Sequence, residues 1–213
     1  MPASSLARVA VEGPAGDIET DVNDPGSARR GIALIAHPHP LQGGTKDNKV
    51  VTTLAKVFFA LGHVAARPNF RGVGASAGSH DEGRGEADDL VAVADHLKRQ
   101  YGELPLLLAG FSFGSFVQVR VAKRLHPRSL VLVAPAVSRF PAETVPRGTL
   151  VIHGELDDVV PLAAVLEWAR PQRLPVVVIP RGEHFFHGRL NLLAEIVLQH
   201  FRRTAQEKPG ARA

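Results

Sequence analysis

From Gly31 onward, short apolar runs alternate with amphipathic segments along this 213-residue chain. Ile32-Ala33-Leu34-Ile35-Ala36 is apolar at every position, the pattern of a strand covered on both faces. Asn48 to Leu61 sets Val50, Leu54, Val57, Phe58 and Leu61 at helical spacing, with Asn48 as cap and Gly62 as stop. The same reading predicts a strand at His63 to Arg67, a helix at Glu86 to Tyr101 ended by Gly102, and a buried strand at Leu104 to Ala109. A helix to Leu125, stopped by Pro127, follows a glycine-rich turn. Then come strands at Ser129 to Val133 and Thr149 to His153, a helix at Leu162 to Arg170, a strand at Leu174 to Ile179 and a last helix from Arg189 to Phe201. Ahead of Gly31, Leu6 to Val11 and Asp17 to Val22 read as two short strands around Gly13-Pro14-Ala15-Gly16. Such alternation implies an α/β fold, a mostly parallel sheet with helices on both faces. One domain spanning 1–213 is expected, with residues 202–213 a polar, frayed tail.

Composition removes several classes of function. The chain has no cysteine, which excludes disulfides, thiol catalysis and thiolate zinc sites. The amino terminus lacks a basic region followed by an apolar stretch, and no segment reads as a membrane span. A cytoplasmic protein without a membrane partner is the expectation. The formal net charge is +4, but the arginines are dispersed, with no basic block or interleaved aromatics. They read as a solvated surface rather than a nucleic-acid footprint.

The chemistry begins at Gly110-Phe111-Ser112-Phe113-Gly114, between the apolar strand and the helix. A serine on a sharp strand-to-helix turn takes a strained backbone, and glycines two residues either side let strand and helix approach. That geometry exposes the Ser112 hydroxyl and aims the Phe113 amide at whatever the hydroxyl attacks. A hydroxyl needs an imidazole to take its proton, and the imidazole needs a carboxylate. Both follow in the order expected of a nucleophile elbow. Val151-Ile152-His153-Gly154-Glu155-Leu156-Asp157-Asp158 is a strand ending in an acidic loop, where Asp157 and Asp158 compete for the acid. Val176 to Ile179 ends in a loop carrying His184, with His187 three residues deeper as its rival. All three groups fall at the carboxyl edge of the sheet, where open parallel sheets bind ligands.

With Gly110 to Gly114, His153 to Pro161 and Gly182 to His184 in this order, the chain resembles the α/β-hydrolase superfamily over most of its length. His37-Pro38-His39-Pro40 falls where that superfamily has its oxyanion loop, and Asn69-Phe70-Arg71-Gly72-Val73-Gly74-Ala75-Ser76 looks like the loop after the next strand. With Gly43-Gly44-Thr45 and Asn48-Lys49-Val50, these stretches look like the small, lidless bacterial hydrolases akin to dienelactone hydrolase. Those use cysteine at the elbow, so Ser112 favours ordinary carboxylic esters. The resemblance selects Asp157 as the acid and implies an α/β-hydrolase fold with an N-terminal antiparallel strand pair. Ala134 to Gly148, where many members insert a lid, is too short for a domain, which implies an open site. A second oxyanion donor is expected from the loop after Ala36. Pro38 and Pro40 lack an amide hydrogen, leaving His39 as the only donor between them, with Leu41 next; the superfamily pattern also points to His39.

Two other motifs lead elsewhere and stop short. His37 and His39 suggest a metal pair, but no further ligands at recognisable spacing complete a site. Gly72-Val73-Gly74-Ala75-Ser76-Ala77 fits a dinucleotide fingerprint, yet Ser79 to Gly83 continues as loop where that motif must open a helix. Arg71 is left open between pairing with an acid under the site and touching substrate. The expectation is a serine hydrolase of small esters with no cofactor and no metal, and a small-molecule ester as its partner. An acyltransferase or thioesterase using the same triad, or a non-catalytic binding module on the same fold, is the alternative.

Overall fold

The computed structural model describes residues 5–141 and 143–206. Eight strands form one sheet in the order β1-β2-β4-β3-β5-β6-β7-β8. β1 (Ser5–Gly13) and β2 (Gly16–Asp24) make the antiparallel hairpin, and β2 pairs antiparallel with β4 (His63–Pro68). β3 (Gly31–Ala36), β5 (Leu106–Phe111), β6 (Ser129–Val133), β7 (Leu150–Gly154) and β8 (Val176–Ile179) run parallel with β4.

The central strands carry no outward polar face because helices cover both sides. α2 (Arg84–Tyr101), α3 (Phe113–Leu125) and α4 (Leu162–Ala169) contribute to one apolar cluster, around Leu34, Leu90, Leu108 and Val117. α1 (Lys49–Ala60) and α5 (Leu190–Gln206) contribute to the other, around Ile35, Phe58, Phe111 and Leu193. Every residue of β3 and β5 is buried. Alternate residues of the central strands feed opposite clusters, so the sheet is the floor on which everything at its carboxyl edge is placed.

Local signals set most boundaries. Asn48 caps α1 by accepting the Val50 amide at 2.9 Å. The strand before Ser112 runs two residues further than its apolar run suggested, through Gly110 and Phe111, because both pair with β6. α2 starts two residues early, at Arg84, because Glu86 reaches back to accept the Gly83 amide at 2.8 Å. The last helix continues past Phe201 to Gln206, so the frayed tail expected from Arg202 is helical at its start; residues 207–213 lie outside the described part. Between β6 and β7 the described residues hold no helix or strand, and no lid domain covers the sheet edge.

Candidate active site

Ser112 lies between the end of β5 and the first turn of α3 with φ 54° and ψ −117°, a conformation that L side chains rarely adopt. Sterics around it explain both elbow glycines. A Cβ on Gly110 would lie 2.4 Å from the Gly114 carbonyl oxygen, and one on Gly114 would lie 2.4 Å from the Ala36 carbonyl oxygen and 2.5 Å from that of His37. The second pair of contacts shows that the loop after β3 lies directly against the elbow. Ser115 ties the turn down, its hydroxyl donating to the Gly110 and Val133 carbonyls at 2.7 and 3.1 Å.

The histidine and the acid arrive on neighbouring loops. Gly154 ends β7 so close to the turn after β8 that a Cβ there would lie 2.4 Å from the Gly182 carbonyl oxygen, and the Leu156 amide donates to that same oxygen at 2.8 Å. Those contacts bring the two loops together. His184 Nε2 stands 3.0 Å from Ser112 Oγ, and its Nδ1 stands 2.7 Å from Asp157 Oδ2. Since a carboxylate only accepts, Nδ1 carries the proton, and bare Nε2 is left to accept from the hydroxyl. Ser112, Asp157 and His184 are all buried, at 8, 6 and 3 % exposure. Asp157 Oδ1 accepts the Val159 and Val160 amides at 3.0 and 2.8 Å. Burial works against its charge, but the His184 hydrogen bond, the Val160 amide and the nearby imidazoles prevail and hold its pKa below the usual value. Asp158, its rival, is exposed, and His187 turns outward to pair with Glu183.

The loop after β3 is fixed by His37, an imidazole with no exposed surface. Its Nδ1 donates to the Pro38 carbonyl at 2.7 Å, and its Nε2 accepts the Phe70 amide at 2.9 Å. Both partners require the neutral ring, and burial pushes its pKa down to about 4. A trans peptide points its N–H opposite to its C=O. With the Pro38 oxygen held by His37, the His39 amide is therefore aimed away from His37. The His39 carbonyl is occupied by the amides of Gln42 and Gly44, at 3.1 and 3.0 Å. The Phe113 amide, first in α3, has no acceptor within its own helix. His39 and Phe113 adjoin, with ring centroids 4.8 Å apart. His37 thus spends both nitrogens on backbone, and the suggested His37–His39 metal pair has no free His37 ligand atom.

Other residues find structural partners. Arg71, open between two roles on sequence grounds, makes a bidentate pair with Asp89 at 2.8 and 2.7 Å. Gly72 to Ala77 remains a loop stitched by Ser76, whose hydroxyl donates to the Asn69 carbonyl, and no helix begins until Arg84. Sequence reasoning used His153 only as a landmark. It is fully buried behind the acid, donates to the Val160 carbonyl at 2.9 Å and stands 3.5 Å from Asp157 Oδ2. It also missed His80 and Glu86, which no motif marks and which only the folded loop brings beside His39.

Comparison with known proteins agrees with this architecture. Residues 39–142 match the family model described as serine aminopeptidase, S33. The solved structure of XC6422 from Xanthomonas campestris, described as an α/β serine hydrolase without lid, superposes with a TM-score of 0.90 at 37% identity, covering 98% of this chain and 99% of that one. An uncharacterized protein of Rickettsia prowazekii is 35% identical over 146 residues, 68% of this chain and 58% of that protein. The lysophosphatidylserine lipase ABHD12 of Gallus gallus is 33% identical over 97 residues, 43% of this chain and 25% of the lipase. The chain thus spans little over half of one curated relative and a quarter of the other. The full-length match in sequence and fold places this chain in the α/β-hydrolase superfamily, beside the serine hydrolases that have no lid.

Proposed function

We propose that this protein hydrolyses small carboxylic esters through Ser112, His184 and Asp157 by way of an acyl-enzyme. The observation that carries the reading is the unbroken hydrogen-bonded chain from hydroxyl to imidazole to carboxylate, 3.0 and 2.7 Å long. His184 Nε2 takes the Ser112 proton as Oγ attacks the ester carbonyl, and Asp157 stabilises the imidazolium that results. The amides of Phe113 and His39 receive the oxyanion. His184 then gives its proton to the leaving alkoxide, activates water, and Ser112 is regenerated as the acid departs.

Ester bonds are favoured over the diene-lactone chemistry of the cysteine relatives because a serine stands at the elbow. The lack of a lid fits small or varied acyl groups. The lipase name of ABHD12 points the same way over a short alignment, whereas the description of the matched family model names an aminopeptidase. The test therefore uses a panel: nitrophenyl esters from acetyl to octanoyl, one thioester and an aminoacyl anilide. Treatment with a fluorophosphonate should add one probe mass, mapped to Ser112, and Ser112→Ala should lose about 10³-fold or more in kcat on the preferred ester. An unmodified mass together with an untouched panel would instead mark a binding module on a hydrolase fold.

A further inference from the structure

One polar cluster beside the site remains unexplained by the three-residue relay. His80 packs its ring at a tilt against both residues proposed to supply the oxyanion hole, its centroid 4.9 Å from that of His39 and 5.4 Å from that of Phe113. Behind it, His80 Nδ1 stands 2.7 Å from Oε1 of Glu86, a carboxylate with no exposed surface. The approach is too oblique for an aligned hydrogen bond, and this buried nitrogen has no other hydrogen-bond partner among the described residues.

Helix capping does not account for the pair. Glu86 meets that need by accepting the Asp81 and Gly83 amides, at 2.9 and 2.8 Å, before any contact with His80. Burying an imidazole against a carboxylate carries a desolvation penalty that a phenyl ring of similar shape would avoid. What the imidazole has that a phenyl ring lacks is a polar edge 2.7 Å from the Glu86 carboxyl. Phe140 adds a further ring contact, 5.2 Å from Phe113 and 6.0 Å from His39 by centroid. His39 therefore contacts three rings, those of His80, Phe113 and Phe140, and of these only His80 carries a ring nitrogen close to the buried Glu86 carboxyl in the first turn of α2.

We propose that His80, anchored by Glu86, is a positioning residue of the oxyanion hole: it fixes the His39 and Phe113 backbones so that both amides converge on one oxygen. The inference rests on the esterase reading above. Such a role acts on the tetrahedral state and leaves ground-state binding nearly unchanged.

The experiment compares His80→Ala and His80→Phe with the parent, by kcat, KM, thermal midpoint and the Ki of a trifluoromethyl ketone, whose serine adduct places an oxyanion in the hole. His80→Phe keeps a ring but loses the anchor. Both variants should lose roughly 10- to 100-fold in kcat, with KM within twofold and the ketone weakened by the same factor. If His80→Ala does not fold, His80→Phe and His80→Gln carry the same comparison. Parental kcat in His80→Phe, a rise in KM alone, or a kcat loss without weaker ketone binding would each overturn the proposal. A parent with no Ser112-dependent turnover would instead overturn the hydrolase reading itself.

Discussion

Asp157 divides its work between two oxygens. Oδ1 is held by the Val159 and Val160 amides, which leaves Oδ2 facing His184 Nδ1 in one orientation. An amide in its place cannot accept at both positions and favours the wrong imidazole tautomer. Asp157→Asn should therefore lower kcat by about 10⁴-fold, while Asp158→Asn, at an exposed position, should stay within twofold; steady-state ester kinetics decide it. Residue types alone leave these adjacent aspartates in competition, and the family resemblance selects Asp157. They are separated by the turn that aims the Val159 and Val160 amides inward, which residue types do not reveal. His37 gives a second residue-level consequence. Its folded pKa of about 4 lies below the ordinary imidazole value of 6.5, so the unfolded chain binds the extra proton first. The penalty is absent above that ordinary value, grows as pH falls through the interval, and reaches about 3 kcal/mol at the lower end. Urea unfolding across the interval should show a steeper loss of stability for the parent than for His37→Gln. Acidic groups such as Asp157 and Asp21 weaken both proteins alike, so the difference isolates His37.

At the level of elements, the site is an agreement among loop ends. β5 presents Ser112, β7 presents Asp157 and β8 presents His184, all from one sheet edge. The strands were legible because their apolar runs are bounded by glycine, proline and charge. The close approach of Gly154 to Gly182 was not, since a glycine at a strand end does not announce which loop it must admit. Gly154→Ala tests that contact. Its methyl would meet backbone 2.4 Å away, so the loop bearing His184 must shift relative to Asp157. A displacement near 1 Å costs about 10²-fold in such sites, so kcat/KM and the fluorophosphonate labelling rate should fall by roughly that factor. A polar side chain sets a helix start legibly where it is a recognised cap, as Asn48 is for α1, and not where it reaches back from inside the helix, as Glu86 does for α2.

Over the whole molecule, the alternation of apolar and amphipathic segments carried the fold, and the elbow, acid and histidine motifs named groups that the fold brings within hydrogen-bonding distance. The support around them was hidden: His80 and Glu86 belong to no motif, and the motif that begins at His153 does not show that its imidazole is buried behind Asp157. Among the described residues no helix is long and apolar enough to cross a membrane.

The backbone of Ser112 has one more consequence, for thermostability. A non-glycine residue held at positive φ typically gives up about 1–3 kcal/mol of folding free energy, and glycine recovers much of it there. Ser112→Gly should be catalytically dead yet melt higher, by roughly 2–6 °C for a chain of this length, in differential scanning calorimetry. A midpoint at or below the parent's would mean that the fold bears its reactive corner at no thermal disadvantage.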